Sequence, residues 1–225
     1  MTKVRAKLAG SSRFEMAFYW LGRTLCVGFC RSYLRESVDG LENVPSDGPY
    51  VVAPVHRSNM DTPIVAIVTK RRLRYMGKDS LWKKQPFAWM LSALGGFPVT
   101  RGSADREALK RCIEVLECGE PLVLFPEGER KFGDEVAPLF DGAAYVASKA
   151  NVPILPVGIA GSEGVMPKGK KFIYPRKVHV SVGPVIRVPV GDNGKVGRNA
   201  IRTTTAELHD ELQRLYDRAS ERVAK

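Results

Sequence analysis

Apolar residues in this chain alternate between two arrangements. Some form short unbroken runs that stop abruptly at charge; others recur every three or four positions over longer stretches. Tyr50–Val55, "PLVLFPEG" from Pro121 and "VPILPVGIAG" from Val152 are of the first kind, and each reads as a buried strand. Between the first two, "DTPIVAIVTK" reads as helix, "RLRYMGK" as strand, "SLWKKQPFAWMLSALGG" as one or two short helices and "FPVTR" as a strand end. Ser103–Glu117 repeats Ala108, Cys112, Val115 and Leu116 at helical spacing, and Pro138–Ala150 is a further helix. "SVDGLENVP" predicts a short strand and turn, and "KVHVSVGPVIRV" one or two late strands. Ile201, Thr205, Leu208, Leu212, Leu215 and Ala219 mark a long amphipathic C-terminal helix. This alternation predicts an α/β domain, a mostly parallel sheet covered by helices.

The N-terminal stretch adds a further element. Phe14, Phe18, Leu21, Leu25 and Phe29 recur at helical spacing among Arg13, Arg23, Arg31 and Arg35. Arg23 interrupts the run, so neither piece reaches the ~20 apolar residues of a spanning helix. Aromatics beside arginines suit a helix lying in a membrane interface; the same pattern also serves a helix packed on its own domain. Residues 1–35 are accordingly read as an N-terminal amphipathic segment, and 36–225 as the α/β domain. The polar "VGDNGKVGRN" joins elements of that one domain rather than two domains.

Composition narrows the partners. The 225 residues carry 35 Lys+Arg against 24 Asp+Glu, a net charge of +11, which favours nucleic acid, anionic lipid or a phosphorylated substrate. Cys26, Cys30, Cys112 and Cys118 form no CxxC pair and have no histidine placed to complete a zinc site; they read as reduced packing thiols of a cytosolic protein. No cleavable signal is expected.

Candidate chemistry gathers where the strands stop. In an open α/β sheet ligands collect beyond the carboxyl ends of the strands, and His56 stands at such an end with Asp61 five positions on. On one continuous helix the two would face about 140° apart. Ser58, Asn59 and Asp61 are N-cap types, and Pro63 is tolerated only in a first helical turn, so the chain breaks between them. Asp61 can then fold back onto one imidazole nitrogen, leaving the other free to act as a general base; a plain helix cap is the alternative role for it. Two more strand ends carry charge: "GGFPVTRG" delivers Arg101, and "LVLFPEGERK" delivers Glu127, Gly128, Arg130 and Lys131. Arginines beside glycine suit a phosphate, through a planar fork of donors and a closely approaching backbone.

These blocks resemble the glycerolipid acyltransferases, which include the 1-acyl-glycerol-3-phosphate acyltransferases. "HRSNMD" matches the family's His-x4-Asp block, "GGFPVTR" its second block, Phe125–Arg130 its Phe-Pro-Glu-Gly-x-Arg block, and Val152–Pro156 its fourth, all in order. "LFDGAAYVA" is similar to the segment between the last two, with Asp141 where the family usually has lysine; Glu129 stands where threonine is common. The resemblance implies that His56 deprotonates an acceptor hydroxyl, that Asp61 orients it, and that Arg101 and Arg130 bind the acceptor phosphate in a pocket shaped by Glu127 and Gly128. It implies transfer from acyl-CoA or acyl carrier protein without an acyl-enzyme, a metal or any other cofactor. Lysophosphatidate is the expected acceptor, glycerol-3-phosphate the alternative, and an anionic membrane surface at the cytoplasmic face the expected setting.

Two other readings are open to test. "IAGSEG" approaches a nucleophile elbow, with Asp192 and His209 in hydrolase order behind Ser162, but Gly164, Pro167 and the following lysines argue against the helix an elbow requires. Lys70–Lys84 holds seven cations with Tyr75 and Trp82, which could grip a nucleic-acid backbone or, with Phe87 and Trp89, an anionic membrane. No nucleic-acid-binding signature accompanies it, and no nucleic-acid partner is expected.

Overall fold

The computed structural model describes residues 12–99, 105–167, 169–170, 172–191 and 196–225. Seven strands form one sheet: β1 (Ser37–Asp39), β2 (Val51–Pro54), β3 (Arg74–Lys78), β4 (Gly96–Val99), β5 (Leu122–Val123), β6 (Ile154–Ala160) and β7 (His179–Val182). Their spatial order is β1-β7-β6-β2-β5-β3-β4. Every pairing is parallel except β6 with β7. Around the sheet lie α1 (Arg13–Tyr33), α2 (Asp61–Ile64), α3 (Gln85–Ala93), α4 (Asp105–Glu117), α5 (Gly142–Ala150), α6 (Ser162–Val165) and α7 (Arg198–Ala224).

The connections explain where the helices lie. From β2 the chain moves along the sheet to β3 and β4; from β4 it turns back through β5 to β6. Right-handed crossovers therefore put α2 and α3 on one face and α4 and α5 on the other. The contacts agree: α1 packs with α2 and α3, whereas α4, α5 and α7 pack together against β2, β5, β6 and β7. Covered on both faces, β2 and β6 are buried at every residue. Adjacent strands β2 and β5 thus send their connections to opposite faces, and the crevice this opens lies between their carboxyl ends.

α7 is seated unusually close. A Cβ on Gly158 of β6 would fall 2.4–2.7 Å from the backbone of Leu215 and Tyr216, so only glycine lets the helix rest on this strand. Leu208, Leu212 and Leu215 are buried by that contact, each contributing about 1.5–3 kcal/mol.

Most expected elements are present, with four differences of detail. β5 is short, because Pro126 has no N–H to continue a ladder that Leu124 N still extends to Val52 O at 2.9 Å. "DTPIVAIVTK" begins as α2 and tightens into a 3₁₀ turn over Val65–Val68. β7 runs antiparallel to β6, and the later pattern supplies only a bridge at Ile186. A one-turn helix, α6, does follow Ser162, where glycine and proline had argued against any.

α1 serves two environments at once. Tyr19 is buried and its hydroxyl accepts from Leu73 N at 3.0 Å, while Arg23 donates to Ala66 O at 2.9 Å and to Thr69 O. Phe14 and Phe18 lean on Trp89. Leu21, Leu25 and Phe29 remain exposed. The basic stretch from Lys70 to Lys84 is less of a surface than its sequence implies. Arg72 is buried on the carbonyls of Ser92 and Ala93, Arg74 pairs with Glu120, and Arg71 donates to Gly48 O and Gly119 O. Lys70, Lys83 and Lys84 are its exposed cations among the described side chains.

Candidate active site

His56 follows β2 and the FPEG turn follows β5, so the two lie side by side at the crevice where the sheet's connections part. The chain breaks between His56 and α2, and Asp61 turns back. Its Oδ2 accepts from His56 Nδ1 at 3.0 Å, from Arg57 N at 2.6 Å and from Ser58 N at 2.7 Å. It does not cap α2, whose N-cap is Met60 with no side-chain bond. A carboxylate can only accept, so Nδ1 carries the imidazole proton and Nε2 is left as an acceptor. Asp61 is wholly buried, whereas the His56 side chain is 17% exposed: the ring is held from behind and reachable from in front. Phe125 stacks on it, centroids 4.0 Å apart, fixing its plane.

Glu127 is wholly buried and its oxygens face inward. Oε1 accepts from His56 N at 2.8 Å and from Arg57 Nη1 at 3.0 Å; Oε2 accepts from Arg57 Nη1 at 2.8 Å and from Ala137 N at 3.3 Å. Glu127 therefore holds the histidine's backbone and neutralises Arg57. Gly128 has φ +73°, and a Cβ there would come 2.8 Å from the Phe140 ring, so glycine alone permits this turn against this wall. Lys131 N donates to His56 O at 2.9 Å, which sets Arg130 beside the histidine loop. Arg130 is exposed and makes no ion pair or hydrogen bond among the described residues. Lys131 pairs with Glu129 at 2.7 Å, and that contact pulls the Glu129 carboxyl below its usual range. Arg101 lies outside the described residues.

Arg57 is the functional residue that sequence reading passed over. It is 2% exposed, lies over the Tyr216 ring and donates to Glu135 O at 3.0 Å. Burial works against its charge, but Glu127 outweighs this and holds its pKa above the ordinary value. The loop it grips is pinned from the far side by α7: Gln213 bonds Val136 N at 2.7 Å and Asp134 O at 3.1 Å, and His209 Nε2 meets Val136 O at 3.0 Å. His209 is thus engaged away from Ser162, which is fully buried, and no hydrolase triad forms from them among the described residues; Asp192 lies outside these. An apolar cavity of about 310 Å³ opens under α1, lined by Tyr19, Gly22, Cys26, Pro63, Ala66 and Leu94. Thr62 and Pro63, which also line it, follow Asp61 in the first turn of α2.

The family model described as acyltransferase matches residues 35–160, which include β2, β5, β6 and both halves of this site. The chain belongs to the acyltransferase family. It is 30% identical over 182 residues to the chloroplastic 1-acyl-sn-glycerol-3-phosphate acyltransferase LPAT1 of Arabidopsis thaliana, covering 79% of this chain and 50% of that protein. To the 1-acyl-sn-glycerol-3-phosphate acyltransferase of Pseudomonas aeruginosa it is 26% identical, over 68% of this chain and 60% of the other. The chain spans about half the length of the first of these relatives. Among solved structures it resembles the 1-acyl-sn-glycerophosphate acyltransferase PlsC of Thermotoga maritima, with a TM-score of 0.71 and 25% identity over 94% of this chain and 85% of that one. This member of the acyltransferase family thus keeps a mostly parallel α/β sheet with the His-x4-Asp loop at its carboxyl edge.

Proposed function

We propose that the protein transfers a fatty acyl group from an acyl thioester to the free hydroxyl of 1-acyl-glycerol-3-phosphate, making phosphatidate. The observation that carries the mechanism is the His56–Asp61 pair: a buried carboxylate fixes the proton on Nδ1 and leaves Nε2 facing the accessible side. Nε2 takes the acceptor hydroxyl's proton as its oxygen attacks the thioester carbonyl. The tetrahedral intermediate collapses with loss of the thiolate, which receives the proton back from the imidazolium, and Asp61 stabilises that cation in between.

Arg130, with Arg101, supplies cations for the acceptor phosphate; anchoring that end holds the hydroxyl near Nε2 as positioning catalysis requires. Glu127 and Gly128 shape the site from beneath, by holding His56 and by turning the loop. The cavity under α1, which Thr62 and Pro63 of α2 also line, has the polarity for a fatty chain and the size of a small ligand pocket. The relatives named for 1-acyl-glycerol-3-phosphate support this acceptor over glycerol-3-phosphate. A lipid acceptor requires access to a bilayer. Among the described residues no helix is long and apolar enough to cross one, and the exposed apolar side of α1 is the surface we assign to peripheral docking.

The test is transfer by the purified protein with both acceptors and a panel of acyl-CoAs. His56→Ala should retain the fold and lose ~10²–10⁴-fold in turnover with 1-acyl-glycerol-3-phosphate. Near-normal turnover by the folded variant would remove the assignment.

A further inference from the structure

We propose that Lys170 and Phe172–Lys177, together with the carboxyl end of α1, form a second membrane anchor that seats the His56 edge of the sheet against an anionic lipid surface. The proposal rests on the reading above that the acceptor is a lipid. Its basis is the one antiparallel pairing. Because β7 runs back along β6, with His179 opposite Ala160, the chain between them makes its excursion beyond the carboxyl end of β6. β1 runs parallel to β7 with Ser37 opposite His179, so α1 also ends at that edge. β2 runs parallel to β6 with Pro54 opposite Val157, so His56 emerges there too. The topology brings the excursion, the end of α1 and the candidate base to one side of the molecule.

Side chains join the first two into one surface. Tyr33 donates its hydroxyl to Ile173 O at 3.0 Å, and Phe29 stacks on Tyr33 at 5.0 Å. Phe172, 62% exposed, meets Tyr174 edge to face at 5.0 Å. One exposed phenylalanine is ordinary. Here Phe172 continues from α1 through the Tyr33–Ile173 contact, and Lys170 and Arg176 on the one segment and Arg31 and Arg35 at the end of the other are exposed. The sequence places no carboxylate between Glu163 and Lys177. Aromatics to enter the interface, with cations to meet anionic headgroups, are what a peripheral lipid contact needs.

The experiment is cosedimentation of the full chain with vesicles of phosphatidylcholine alone or mixed with phosphatidylglycerol, at low and high salt. A cation at the surface is worth about fivefold in partitioning, so Lys170→Glu/Arg176→Glu should bind the anionic vesicles at least ~25-fold more weakly at low salt and neutral vesicles as the parent does. Phe172→Ser should weaken binding to both severalfold, at high salt as well. Turnover of a short-chain, water-soluble acceptor should be unchanged in both variants while turnover of vesicle-borne acceptor falls. Unchanged partitioning overturns the proposal. So does equal loss of activity on the soluble acceptor, which would make the segment part of the substrate pocket, and so does loss of affinity for a DNA oligonucleotide with vesicle binding intact. If no acceptor is acylated by the parent yet partitioning falls as stated, the anchor holds and the acyl-transfer reading fails alone.

Discussion

Replacing Glu127 by glutamine separates a carboxylate that touches substrate from one that holds the site together. In the structure the Glu127 carboxylate is sealed from solvent, accepts from the His56 backbone and forms a buried ion pair with Arg57, itself 2% exposed. Glutamine keeps the size and one acceptor but strands the guanidinium's charge in the interior. Breaking a buried pair from one side costs about 3–5 kcal/mol. For a chain of this length each kcal/mol moves Tm by about 2–4 °C, so a fall of about 6–20 °C is expected by thermal unfolding. Well below that transition, turnover should still drop by up to about 10²-fold, because a histidine displaced by about 1 Å is out of reach of the reacting hydroxyl. Acceptor KM should barely change. The double variant Arg57→Met/Glu127→Leu should recover much of the stability, as apolar replacements of buried pairs do, without recovering turnover. A Tm within about 2 °C of the parent, combined with a rise in acceptor KM alone, would refute the reasoning and make Glu127 a substrate ligand.

Asp61→Asn keeps one oxygen for the three N–H groups but removes the negative charge and adds an NH₂ donor, so the imidazole can take the wrong tautomer and its cation loses its counter-charge; kcat should fall ~10²–10⁴-fold with little change in KM, measured by steady-state kinetics. Arg130→Ala and Arg101→Ala should raise the acceptor's KM roughly 10- to 100-fold and leave that of the acyl donor near normal, since a charged contact contributes about 1.5–3 kcal/mol; equal effects on both substrates would assign the arginines a structural role. Glu36 lies buried behind α1, and burial, reinforced by Cys26 and opposed by Arg31, pushes its carboxyl up to about 8. The folded state therefore binds this proton more tightly than the unfolded chain does, and its contribution to stability, present in full below the unfolded value near 4.5, is lost as pH rises through about 8. Urea midpoints of the parent should decline over that window and those of Glu36→Gln should decline less; parallel curves would contradict it.

Strand ends were legible in the sequence because an apolar run that stops at charge has few other meanings. That is how His56, Asp61 and the FPEG turn could be named before any geometry, and the sheet's parallel character follows from strands alternating with helices. What escaped was set by tertiary context. Arg57 looks like any surface arginine in "HRSNMD"; only Glu127, brought from a neighbouring strand, gives it a reason to be inside. Arg71, Arg72 and Arg74 likewise advertise a basic patch, yet their partners are carbonyls and a carboxylate far along the chain. The reversal between β6 and β7 was illegible too, since alternation of side chains is the same in either direction.

The clasp around the 133–137 loop bears on how the protein comes to be active at all. His56 N reaches Glu127 across 71 positions of chain, Arg57 reaches Glu135 across 78, and Val136 reaches Gln213 across 77. Contacts of such separation close late and slowly, because the loop entropy is spent before they can repay it. A nascent or partly unfolded chain can hold β2 and its histidine without holding a catalytic centre. On the proposed function, acyl transfer would then report completed folding, and nicking or fraying α7 would abolish it without touching His56 or Asp61.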